Sequence, residues 1–124
     1  MNQQIIGDRT TALSAEDLAA LRDILLEQRL FRRDQLQQIE AATTAMGGDG
    51  PPGRQDAAQI EVTVKLAASA RMVLSDVEAA LVRMEEGRYG VCHLCRQRVS
   101  RDRLTVVPQA RYCSRCQQVR EAGR

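Results

Sequence analysis

Aromatic residues are nearly absent from this 124-residue chain, which has no Trp, one Phe (Phe31) and two Tyr (Tyr89 and Tyr112). Without such bulk a deep core is hard to fill, which argues against a thick β-sandwich or a doubly wound sheet. Long apolar runs are missing too, and none approaches the roughly 18 residues that a membrane-spanning helix needs. The opening stretch MNQQIIGDRTTALSAED has no basic segment followed by an apolar one and a cleavage site, so the expected location is cytoplasmic. Histidine occurs once, and neither a Ser-His-Asp context nor a phosphate loop is present. With no nucleophile and base to position, the chain is expected not to be an enzyme.

What is abundant is Ala, with sixteen residues, and Leu, with twelve. Both are strong helix formers, so composition favours helices packed in a thin, extended arrangement. The net charge of +2 hides a split. Residues 1–87 carry 9 Lys+Arg against 14 Asp+Glu, whereas residues 88–124 carry 9 Arg against only Asp102 and Glu121.

All four cysteines lie in the basic part, as Cys92-His-Leu-Cys95 and, after 17 residues, Cys113-Ser-Arg-Cys116. Two C-x-x-C pairs at this separation suit tetrahedral zinc, because each pair turns back on itself and offers two thiolates to one metal. Four sulfur ligands close the coordination shell, so one structural zinc is expected and a catalytic one is not. Disulfides are disfavoured in a reducing cytoplasm, and a thioredoxin-like redox pair would need one C-x-x-C in a βαβ setting. His93, inside the first pair, is expected to be a solvent-facing spacer. Arg96, Arg98, Arg101 and Arg103 crowd the loop between the pairs, with Arg111 and Arg115 beside the second. They suit either an acidic or nucleic-acid partner or a solvated face that neutralises the thiolates.

The remainder reads as a helical hairpin. Residues 1–13 form a polar, flexible arm, and Ser14-Ala-Glu-Asp17 then opens a capping pattern ahead of Leu18, Leu21 and Leu25, with Phe31, Leu36 and Ile39 on later turns. The first helix is expected to run to about Met46. Gly47-Gly-Asp-Gly-Pro-Pro-Gly53 cannot continue it and marks the tip, taken as 47–56. A second series, Leu66, Ala70, Val73, Val77, Ala80 and Met84, steps by fours and threes along one face until Gly87 stops the helix. Ile60–Leu66 alternates apolar and polar residues as a strand would. Alanines on both sides, and the unpaired backbone an isolated strand would leave, favour helix. The expected fold is therefore mainly α: a long antiparallel hairpin (coiled coil) over 14–87, then over 88–124 a small four-cysteine zinc finger with a short carboxyl-terminal helix.

The run Leu81-Val-Arg-Met-Glu-Glu-Gly87-Arg-Tyr89-Gly90-Val-Cys92, together with Arg103-Leu104, Pro108, Ala110 and Cys113 to Cys116, resembles the DksA/TraR family of zinc-finger transcription regulators. The hairpin has the length and position of that family's coiled coil. The resemblance implies a bacterial or phage protein that binds RNA polymerase directly, inserting the coiled coil into the secondary channel, without sequence-specific DNA binding and without a membrane. The alternative is a zinc-ribbon interaction module that binds nucleic acid or an acidic protein through its Arg-rich base.

Two departures from the family pattern matter. The family tip carries two aspartates three residues apart and an alanine two further on. The matching positions here are Asp49, Pro52 and Arg54, so the tip residues available for partner binding are Asp49, Arg54, Asp56 and Ala57. The bland reading makes Asp49 a turn residue and Asp56 the cap of the second helix. Some members also bind guanosine tetraphosphate jointly with polymerase through basic residues. Those positions are Asp76, Val107 and Gln117 here, and a pyrophosphate needs Arg or Lys. No nucleotide response is expected unless Arg71, Arg111 or Arg120 takes over.

Overall fold

The structure, a computed structural model, describes residues 12–46 and 54–123. Its helices are α1 (Ala15–Met46), α2 (Arg54–Glu85), α3 (Arg101–Val106) and α4 (Ser114–Ala122). Among the described residues there is no strand, only an isolated antiparallel bridge between Val91 and Arg98. The mainly helical architecture expected from composition and spacing is thus the one that forms. Ile60–Leu66 is helical throughout, and Val62 and Val64 in it are half or more exposed, so its alternation marks no buried face. The short helix α3 lies outside the expected elements. Its signal is Ser100, whose side chain accepts from the Arg103 N–H as an N-cap.

Local chemistry sets the ends of the hairpin. The Asp17 N–H donates to Ser14 Oγ and the Ser14 N–H to Asp17 Oδ2, each at 3.0 Å. This reciprocal box satisfies two amides that the first turn of α1 would otherwise leave open. Arg101 Nη2 lies 3.1 Å from the same Asp17 carboxylate, which ties the start of the hairpin to α3. The backbone hydrogen bond from Ser14 comes first among the causes that hold the Asp17 carboxyl below its ordinary value. At the other end, Gly87 adopts φ +74°. Its N–H reaches Met84 O at 3.2 Å, and Arg88 N–H reaches Arg83 O at 2.8 Å. This pair of bonds closes a helix when a glycine can turn left-handed.

Each long helix has 32 residues, about 48 Å at 1.5 Å per residue. Of the expected tip, 47–53, including Asp49, lie outside the described residues, while Arg54, Gln55 and Asp56 belong to the first turn of α2. Asp56 is therefore within the helix and not at its cap. Of the expected arm, 1–11 also lie outside the described residues, and Leu13 is half-buried against the finger core.

The seam between α1 and α2 differs from the expected face. On α2 it follows Thr63, Ala67, Ala70, Leu74, Val77, Leu81 and Met84, all buried or half-buried. The anticipated Leu66, Val73 and Ala80 form the adjacent line. Ala80 is covered near the foot, Val73 is half-buried, and Leu66 is 49% exposed while Ala67 beside it is buried. A strict heptad drifts around a straight helix by about 20° per repeat, so a face chosen at one end is displaced at the other. On α1 the facing line is Leu18, Leu21, Leu25, Gln28, Arg32, Gln35 and Ile39. Phe31, expected to extend it, is 63% exposed. The bulky part of the seam is at the foot, where Leu25, Val77, Ala80 and Leu81 form one buried cluster, and only the small Ala67 and Ala70 are buried farther towards the tip. Farther up, Arg32 Nη1 donates to Gln35 Oε1 at 3.0 Å in a half-buried polar stretch.

Leu25→Ala should cost about 2–5 kcal/mol in denaturant unfolding of the zinc-loaded protein. Phe31→Ala, at an exposed position, should stay within about 0.5 kcal/mol; similar losses for both would place the dry seam farther towards the tip than described.

Candidate metal centre and its surroundings

Two short turns bring the cysteines together. In the first, Cys92 N–H donates to Gln97 O at 2.8 Å and Arg96 N–H to Cys92 O at 3.0 Å. Arg96 closes the turn with φ +64°. Val99 N–H reaches Gly90 O at 2.8 Å, completing a small loop around the Val91–Arg98 bridge. Gly90 has φ +84°, and a Cβ there would lie 3.4 Å from Leu13 and 3.6 Å from Leu104, so this position accepts glycine on conformational grounds. In the second turn Cys113 is the N-cap of α4, its Sγ accepting from Cys116 N–H at 3.4 Å. His93 N–H donates to Arg111 O at 2.9 Å and stitches the two turns together.

The Sγ atoms of Cys92, Cys95, Cys113 and Cys116 all lie within 4.8 Å of one another, and Cys95 and Cys113 are 3.8 Å apart. A tetrahedron of sulfurs at about 2.3 Å from zinc has edges of about 3.8 Å, so the donor set fits one structural zinc ion. Cys92 is fully buried, Cys113 and Cys116 are half-buried, and Cys95 is exposed. Burial raises the Cys92 thiol, but hydrogen bonds from the backbone of Cys95, Cys113 and Leu94 outweigh it and bring the group down to about 6. Hydrogen bonding to Cys113, then burial, pushes Cys116 up to about 12. His93 is not the solvent-facing spacer expected: it is half-buried, its ring set edge-on to Tyr112 with centroids 6.0 Å apart.

The centre holds a core in place. Cys92, Val99, Leu104 and Ala110 are buried together, and Leu21 of α1 completes the cluster. Tyr89 packs against both this cluster and the one at the hairpin foot. Its hydroxyl donates to Pro108 O at 2.7 Å, and burial raises its pKa to about 12.

Asp76, Val107 and Gln117 line one cleft of about 480 Å³ beside the finger, together with Arg103, Arg111 and Arg120. Each of these arginines is engaged. Arg111 Nη2 pairs with Asp76 at 2.9 Å, Arg103 Nε donates to Tyr112 O at 2.9 Å, and the Arg120 guanidinium lies 4.4 Å from the centroid of the Tyr112 ring. Arg71 lies elsewhere, in a cleft between the helices with Ile39, Thr43 and Thr63. Among the tip residues, Ala57 is exposed on α2, Arg54 and Asp56 are in its first turn, and Asp49 is outside the described residues. Arg83 is a site residue that the sequence reading does not single out. It sits between the buried Leu81 and the half-buried Met84, is only 5% exposed, and has a buried Nη2 with no hydrogen-bond partner. A charged residue flanked by core positions is the available signal.

Residues 87–122 match the family model described as the prokaryotic dksA/traR C4-type zinc finger. An uncharacterized protein of Aquifex aeolicus (strain VF5) is 27% identical over 119 residues, covering 90% of this chain and 82% of its own length. Transcription factor DksA2 from Pseudomonas aeruginosa shares the fold with a TM-score of 0.80 and 19% identity, over 98% of this chain and 97% of that one. The DnaK suppressor protein from Agrobacterium tumefaciens C58, solved in solution, matches with a TM-score of 0.61 and 25% identity, over 88% and 98% of the two chains. No described helix is long and apolar enough to cross a membrane.

Cys113→Ser removes a ligand while leaving a hydroxyl that can still cap α4. The purified variant should lose its zinc by elemental analysis and become open to proteolysis after Arg88; full zinc retention would contradict the ligand set.

Proposed function

We propose that this chain, a member of the DksA/TraR family by its finger and its fold, regulates transcription by binding bacterial RNA polymerase directly, with zinc as scaffold and without chemistry of its own. That it is a DksA/TraR-type transcription factor follows from the match over 87–122 and from the shared architecture. The observation that carries the finer reading is the shape: a rod two helices wide and about 48 Å long, seated on a finger whose core takes in Leu21 of the rod. Such a rod can enter a channel that a globular domain cannot. Its acidic charge and the basic charge of the foot suit two different surfaces of one partner.

On this reading the tip works through Asp49, Asp56 and Ala57, with Arg54 where the family has alanine. Polymerase should co-purify with Asp49→Ala and Asp56→Ala as it does with the parent, while the effect on transcription in vitro falls. Loss of capture by both variants would sink the division between a binding foot and an acting tip. Tight, steeply salt-dependent binding to free nucleic acid would favour the competing role of the Arg-rich foot as a phosphate binder.

Guanosine tetraphosphate should add nothing to the transcription effect. Of the arginines that share the cleft with Asp76, Arg111 is already neutralised by that carboxylate and Arg120 is stacked on Tyr112. A clear synergy with the nucleotide would overturn this.

A further inference from the structure

A buried guanidinium normally has a carboxylate or several acceptors, because a desolvated charge without compensation is costly. Arg83 has neither: no hydrogen bond or ion pair joins its side chain to a described residue, and its Nη2 is shut off from solvent. The neighbouring carboxylate, Asp76, is engaged by Arg111 at 2.9 Å. Burial first, then the charges of Arg111 and Arg88, disfavour the Arg83 charge, and Asp76 offsets them only in part; Arg88 is paired with Glu86 at 2.6 Å, so no further carboxylate is left for Arg83 there. Within the protein chain, this corner of the foot carries a surplus of positive charge.

The compensating charge has an obvious source. Arg83 stands on the last turn of α2, directly before the loop that leads to the first cysteine pair. Asp76, seven residues before it and on the same face of α2, pairs with Arg111, whose carbonyl accepts the His93 N–H between Cys92 and Cys95, so this face of the helix abuts the first cysteine turn. Four thiolates around Zn²⁺ carry a net charge of −2, held where solvent is largely excluded. We propose that Arg83 is the buried counter-charge of the loaded zinc centre, a positioning residue through which the hairpin senses the metal. Loading the finger then neutralises Arg83 and seats the rod on its foot in the same event; without the metal, the closed arrangement leaves this arginine uncompensated.

The test is zinc affinity, measured on the full chain by competition with a chromogenic chelator, with cobalt(II) absorption reporting tetrahedral thiolate ligation. Arg83→Met keeps the apolar stem and removes the charge, and it should weaken zinc binding by about 10–100-fold. Arg83→Lys keeps the charge and should stay within a few-fold of the parent. Arg22→Met, at an exposed position on the rod, should match the parent. If Arg83 were only a buried liability, Arg83→Met would bind zinc as well or better, and that result overturns the proposal. The loss should also persist at high salt, since a buried charge is screened little. A loss that salt abolishes would assign the effect to the exposed arginines and refute the role of Arg83. Far-ultraviolet circular dichroism on the metal-free variants checks that the hairpin is intact, and Arg83→Gln supplies a second neutral replacement if the methionine variant does not fold.

Discussion

Gathering four sulfurs around one metal is the constraint on which this structure depends. Cys92 and Cys95 are separated from Cys113 and Cys116 by a 17-residue loop, and closing that loop brings Val99, Leu104, Pro108 and Ala110 into a core. That core would be too small to hold by itself, since few large apolar side chains are available and a loop of this length has a closure entropy to overcome. Metal binding supplies free energy that the apolar surface lacks. Leu21 of α1 enters the same cluster, so the metal organises the foot of the rod as well as the finger.

The rod is graded along its length. At the foot, Leu25, Val77, Ala80 and Leu81 are close-packed, and Tyr89 links them to the finger. Farther up, Gln28, Arg32 and Gln35 take the place of leucines on the α1 side of the seam, while Ala67 and Ala70 are buried on the α2 side nearer the tip. Small residues let the helices approach, while the polar side chains contribute hydrogen bonds in place of apolar burial. The ion pair between Arg33 and Glu78, 2.9 Å apart, is well exposed on both sides and adds little. Resistance to local opening should therefore decline from foot to tip.

Much of this is legible in the sequence because the controlling signals are local. The Ser14–Asp17 box, the Gly87 stop and the cysteine spacing each act within a few residues, and each forms as its chemistry dictates. The departures arise where distant residues decide. Leu66 and Phe31 look like seam residues by type, but the register is chosen at the foot and drifts before it reaches them. His93 packs against Tyr112, nineteen positions away, which no window around Cys92 could reveal. Arg83 is hidden for a similar reason. Its burial depends on the finger folding back over the end of α2, and it is invisible in a pattern that assigns charged residues to the surface.

The N-cap of α4 carries a further consequence. Its nine residues bury no side chain fully, and an isolated helix of that length is marginal in water. What starts it is Cys113, whose sulfur accepts the Cys116 amide while belonging to the metal cluster. Ligand and cap are one atom, so the start of the carboxyl-terminal helix, with Val119 and Arg120 on it, is tied to the same sulfur that the metal cluster uses.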